Sequence, residues 1–196
     1  ETIGIAAEVR AAGRTFIDAP VSGGVVGAQA GTLSIMIGAA GADYARVQPV
    51  LAAMGDKLFH VGQEAGQGAM MKTVNQLMCG VHIAAAAEAL SLAERAGIDG
   101  KLAFEILGGS AAGSWMLNNR GPRMLMDEPP VTSAVDIFVK DLGIVLEAGS
   151  GAKAALPLAA SAHQMFLAAS GLGHGSRDDS QVIAAYRALN PPRTTG

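Results

Sequence analysis

The residues best suited to chemistry lie in Gly66-Gln-Gly68-Ala-Met-Met-Lys72-Thr-Val-Asn75-Gln76, where one ammonium and two carboxamides enter an apolar segment. At about 100° per residue, Lys72, Asn75, Gln76 and Cys79 follow an i, i+3, i+4, i+7 pattern and share one stripe of a helix. Met70, Met71, Val74, Leu77, Met78, Val81 and Ile83 cover most other directions, which predicts a helix buried on several sides. Burial lowers a lysine from about 10.4 toward neutrality and lets it give or take a proton near pH 7. Asn75 and Gln76 add uncharged donors and acceptors beside it, suited to orienting a hydroxyl or a carboxylate, or to bonding between helices.

Two further groups stand apart in sequence. Ser22-Gly23-Gly24 follows a strand-like run, where open α/β sheets bind ligands. Two glycines let backbone amides approach an anion and the serine adds a donor; a plain turn explains the same residues. Lys140-Asp141 lies among Ile137, Phe138, Val139 and Leu142, which leaves room for either a solvated pair or a partly buried lysine. His60, His82, His163 and His174 have no metal-ligand spacing with each other or with Cys79, so no metal is expected. Trp115 reads as a core or dimer anchor.

The elements that must position these groups change character along the chain. A helix over 2–12 stopped by Gly13, strands over 15–21, 32–38 and 57–61, and a helix over 41–54 are α/β grammar. From Gly66 onward only helices are expected, over 67–96, from a cap at Asp99 to 107, over 114–120, over 135–148, from Pro157 to 169 and over 179–189. The helix over 114–120 is expected to stop at Gly121-Pro122, and 190–196 reads as a loose tail. A domain boundary falls near residue 64, giving 1–64 and 65–196.

A 50% hydrophobic composition over 196 residues is ample for a core. A net charge of −3, with 14 basic residues scattered singly, gives no nucleic-acid footprint. Apolar runs are interrupted by His82 and Glu88, so no membrane span is expected. One cysteine, Cys79, fits a reducing cytoplasm. No Gly-x-Gly-x-x-Gly and no phosphate-loop motif occurs.

Three blocks resemble the β-hydroxyacid dehydrogenases, the family of 3-hydroxyisobutyrate dehydrogenase and tartronate semialdehyde reductase, related to 6-phosphogluconate dehydrogenase. Asp18-Ala-Pro-Val-Ser22-Gly23-Gly24 resembles the substrate-binding signature, Gly66-x-Gly68-x-x-x-Lys72-x-x-Asn75-Gln76 the catalytic one, and Lys140-Asp141-Leu142 a late cofactor-proximal motif. Residues 76–89, 113–116 and 133–142 most resemble the L-threonate dehydrogenase branch. The resemblance implies an α/β remnant of a Rossmann domain over 1–64, then an all-α, 6-phosphogluconate dehydrogenase-like domain over 65–196 for substrate binding and dimerisation.

It also implies hydride transfer between NAD or NADP and a short hydroxy acid. Lys72 would be the general acid/base, Ser22, Gly23 and Gly24 would hold the substrate carboxylate, Asn75 and Gln76 would place the substrate, and Lys140 would lie near the cofactor. Much of the family has asparagine where this chain has Gln76, which bears on substrate identity. The family's glycine fingerprint, its ribose-binding acid and most of its parallel sheet are absent here, so the chain alone is expected to be inactive. The competing reading is a non-catalytic helical dimerisation module. An imine reductase would share the architecture but would normally lack the lysine.

Overall fold

The computed structural model describes residues 1–191; positions 192–196 of the expected tail lie outside the described residues. The chain separates into two compact units, Glu1–Asn75 and Gln76–Gly196, and one long helix runs through the division.

The first unit opens with α1 (Thr2–Ala11), followed by an extended stretch that leads into β1 (Val21–Ser22). β1 pairs antiparallel with β2 (Ser34–Gly38), and β2 pairs parallel with β3 (Lys57–Gly62), in the order β1-β2-β3. The strand expected over 15–21 is a regular ladder only at its end. Before that, Asp18 exchanges backbone bonds with Gly38, and the Pro20 carbonyl accepts from the Met36 N–H. Pro20 has no N–H to return, so the ladder is interrupted there. α3 (Gly41–Ala52) makes the crossover between the two parallel strands, as parallel pairing requires. Ile35, Ile37, Ala39 and Leu51 form the buried centre of this unit.

A helix unmarked in the sequence reading, α2 (Gly24–Ala30), follows Ser22 directly. The turn into it needs left-handed backbone at Gly23 (φ 136°) and Gly24 (φ 62°).

α4 (Gln67–Arg95) is the long helix. Its second part packs in the helical unit with α5 (Gly100–Gly108), α6 (Trp115–Met124), α7 (Val135–Gly151), α8 (Pro157–Ala169) and α9 (Ile183–Leu189). Asp99 caps α5 by accepting the Leu102 N–H at 2.9 Å, and Ser114 caps α6 by accepting the Leu117 N–H at 3.0 Å. A π-helical turn (Ser170–His174) and a 3-10 turn (Asp179–Val182) connect α8 to α9. Ile83, Leu90, Met124, Leu142, Phe166 and Ile183 are fully buried, and the rings of Phe138 and Phe166 stack at 5.1 Å. By length and composition α4 could cross a membrane, but its Ile83, Ala87 and Leu90 face is fully buried in this core.

The expected stop at Gly121-Pro122 is overridden, and α6 continues to Met124. Proline removes one helical bond, but both flanking arginines are anchored in the core. Arg120 holds Asp179 through two bonds, at 3.0 and 2.8 Å, and Arg123 lies 3.1 Å from Asp178. Both carboxylates are completely buried. Burial raises Asp179 above the usual carboxylate range against the pull of Arg120. The same burial is outweighed at Asp178, where Thr132, Ser180 and Arg123 hold the carboxyl below it.

Candidate active site

The start of α4 is fixed by a residue that the sequence reading left without a role. Asp18, 5% exposed in the extended stretch before β1, accepts the Gly66 N–H at 2.7 Å and the Ala69 N–H at 2.9 Å on one oxygen. First-turn amides have no intrahelical partner, and a carboxylate is their strongest neutral-pH acceptor. Asp18 is therefore a cap supplied from another element. Its signal in the sequence is a lone acid inside the apolar run Thr15-Phe-Ile-Asp18-Ala, since a buried charge must have partners.

The glycines of this block serve the same junction. Gly66 has φ 98°, and a Cβ on Gly68 would stand 2.5 Å from the Met36 carbonyl and 2.9 Å from that of Asp18. Only glycine lets the first turn of α4 lie this close to β2. Lys72 follows one turn later, half-buried, with Asn75, Gln76 and Cys79 half-buried along the helix after it. The apolar cover expected around them is incomplete: Met70, Met71, Val74 and Met78 are between 40% and 48% exposed. Helical spacing gives these four one face beside the polar stripe, and periodicity cannot tell a covered face from an open one.

In the helical unit α4 meets α7 closely. A Cβ on Gly80 would lie 2.8 Å from the Leu142 side chain. One turn earlier on α4, the Gln76 amide nitrogen donates to Asp141 Oδ2 at 2.6 Å, and the Lys140 ammonium lies 3.0 Å from Asp141 Oδ1. Gln76 and Lys140 are thus joined through Asp141. The room for a partly buried lysine at 140 is not used, since its side chain is 66% exposed against 14% for Asp141.

Ser22 closes β1 opposite Ser34, and Gly23 and Gly24 present left-handed backbone immediately after it. A Cβ on Gly23 would press on Leu33 at 3.0 Å, whereas nothing stands within 4 Å of one on Gly24, so the backbone there is open to a small anion. A cleft of about 320 Å³ lies elsewhere, between His82, Ala85 and Ala89 of α4 and Leu107, Ser114 and Leu117. None of the candidate residues lines it. Trp115 is 67% exposed, with Arg120 over its ring at 6.0 Å. Among the described residues no three His, Cys, Asp or Glu side chains converge as metal ligands.

A mixed sheet whose acid caps a long lysine-bearing helix, followed by a helical domain, defines a class that comparison makes specific. Residues 1–62 match the family model for the NAD-binding domain of 6-phosphogluconate dehydrogenase. Residues 66–186 match that for the NAD-binding of NADP-dependent 3-hydroxyisobutyrate dehydrogenase, and the chain belongs to this family of β-hydroxyacid dehydrogenases. Among its relatives, an L-threonate dehydrogenase of Cupriavidus necator is 45% identical over 92% of this chain and 61% of its own length. The crystal structure of a 3-hydroxyisobutyrate dehydrogenase from Salmonella typhimurium superposes with TM-score 0.87 at 42% identity, over 93% of this chain and 64% of that one. A Mycobacterium tuberculosis 3-hydroxyisobutyrate dehydrogenase, solved with L-serine, gives TM-score 0.80 at 31% identity over 95% and 67%.

The chain spans between 58% and 62% of the length of the first curated relatives it matches. The resemblance read from the three sequence blocks holds, and so does the order of fold it implied, a Rossmann-type α/β segment followed by a helical domain.

Proposed function

We propose that this chain works in an NAD(P)-dependent oxidoreductase of short hydroxy acids, with L-threonate or a 3-hydroxyisobutyrate-like acid as substrate. The names of its relatives support that substrate class. The observation that carries the reading is the placement of Lys72, Asn75 and Gln76 on one stripe of α4, just beyond a first turn fixed by Asp18. NAD or NADP, when bound, takes the hydride from the carbinol carbon or returns it.

The chain's own residues handle the rest. Lys72 Nζ accepts the hydroxyl proton in oxidation and gives it back in reduction. Ser22 and the amides of Gly23 and Gly24 hold the substrate carboxylate, with open space beside Gly24. Asn75 and Gln76 place the substrate. Lys140, an exposed cation, suits the anionic cofactor. The functional division falls near residue 64, with the cofactor side before it and the helical side after.

The helical unit also associates with a second copy. Leu92, Leu102, Ile106 and Trp115, between 51% and 67% exposed there, supply apolar side chains for that contact. The lone Cys79 fits a cytoplasmic setting.

Lys72→Met in the complete natural polypeptide separates the catalytic reading from a purely associative one. Turnover of L-threonate should fall about 10²- to 10⁴-fold, the usual worth of a positioned acid/base, with NAD(H) affinity nearly kept. Unchanged turnover, or equal loss of binding and turnover, overturns the role given to Lys72.

A further inference from the structure

We infer that His163 is a positioning residue: through the carbonyl of Val139 it fixes the register of α7, and with it the places of Lys140 and Asp141. The inference rests on the function proposed above and deepens it, since Lys140 is there given to the cofactor.

His163 stands half-buried on α8, and its ring nitrogen Nε2 lies 3.0 Å from the Val139 carbonyl oxygen. A carbonyl oxygen only accepts, so Nε2 carries a proton, in the neutral ring as in the charged one. Inside a helix a backbone carbonyl already receives the N–H four residues on, here that of Gly143. It keeps a second lone pair, which the imidazole takes. A Cβ at position 143 would already touch Nε2, at 3.9 Å, so glycine there keeps the approach of the ring clear of a side chain. The bond adds nothing that α7 lacks by itself. What it adds is a link between helices.

A second link lies beside it. Phe138, one residue before Val139, stacks on Phe166, three residues after His163, at 5.1 Å. Apolar burial is non-directional and tolerates sliding of one helix on another. A hydrogen bond is directional and resists it. Lys140 and Asp141 are the next two residues of α7, about 1.5 and 3 Å further along its axis, so any slip of the helix carries both. Asp141 has to stand where Oδ2 meets Gln76 Nε2 at 2.6 Å and Oδ1 meets the Lys140 ammonium at 3.0 Å. The Lys140 side chain is 66% exposed and is not held by packing, so the backbone beneath it decides where its charge stands.

The test titrates the complete natural polypeptide with NADH and with NADPH, read by nicotinamide fluorescence, and follows the tighter of the two. His163→Leu removes the N–H, whereas His163→Gln puts an amide N–H near the place of Nε2. His163→Asn is polar but too short, and it carries the comparison if the leucine variant folds poorly. The Kd should rise about tenfold in His163→Leu and His163→Asn, the upper worth of one neutral hydrogen bond, and stay within about twofold of wild type in His163→Gln. In a Lys140→Ala background, His163→Asn should weaken binding no further. In ¹⁵N NMR of the cofactor-free protein, the neutral His163 ring should carry its proton on Nε2.

An unchanged Kd in His163→Asn would overturn the inference, as would a proton on Nδ1. Equal losses in the asparagine and glutamine variants would show a packing role instead and overturn it too. So would a loss of the same size in the Lys140→Ala background, because the effect would then bypass Lys140. A wild type that binds neither cofactor would sink the proposed function and the inference with it, and the NMR signal, read without cofactor, tells the two failures apart.

Discussion

Tyr186 shows what one buried group does to the pH range of this fold. It is 6% exposed, and burial, with a contribution from the Glu88 carboxylate, pushes its phenol up to about 12. Its ordinary value is about 10. Stability from the protonated phenol is fully present below pH 10 and is lost as pH rises toward 12, because the unfolded chain ionises first. In urea titrations between pH 9 and 11.5, wild type should therefore lose on the order of 2 kcal/mol more than Tyr186→Phe. Equal losses in the two proteins would remove Tyr186 from the account.

Individual residues were unevenly legible as candidates. Lys72, Asn75 and Gln76 stood out because polar types on an apolar helix are conspicuous. The bonds made by Asp18 and Asp141 did not, since their partners lie 48 and 65 residues away, which spacing cannot reveal.

Gly68 belongs to the scale of elements. Alanine within a helix normally gains about 1 kcal/mol over glycine. Here the added Cβ would meet two backbone carbonyls, of Met36 and Asp18, that cannot turn aside. The balance reverses, and Gly68→Ala should lower stability by about 1–3 kcal/mol in thermal or urea melts. A stabilised variant would show that α4 does not press on β2 as described. The elements legible in sequence were those with caps and long periodic patterns: α4, the α5 helix after Asp99, and α8 opened by Pro157. α2 escaped because seven residues of glycine, valine, alanine and glutamine offer no N-terminal side-chain cap and too few turns to show a periodic pattern. α6 outran its proline because the salt bridges of Arg120 and Arg123 to buried aspartates outweigh one lost backbone bond.

At the scale of the molecule, the self-association proposed above would use exposed Leu102, Ile106 and Trp115. Light scattering of the complete natural polypeptide at micromolar concentration should give at least twice the monomer mass, and a monomeric mass would refute self-association. The change from α/β grammar to helices near residue 64 was visible in the loss of strand-like runs. Where the compact units divide, at Asn75 and Gln76, was not, because that division falls inside one unbroken helix.

The cap that Asp18 supplies also sets an order of assembly. Its two bonds close loops of 48 and 51 residues, whereas the rest of α4 is built from partners four residues apart. Local turns form first and distant ones wait for the chain between them to be arranged. The lysine's helix can thus grow early along most of its length, but its first turn is completed only when the sheet delivers Asp18. A chain whose sheet is misassembled holds α4 without a fixed beginning, and folding itself acts as the check on where Lys72 stands.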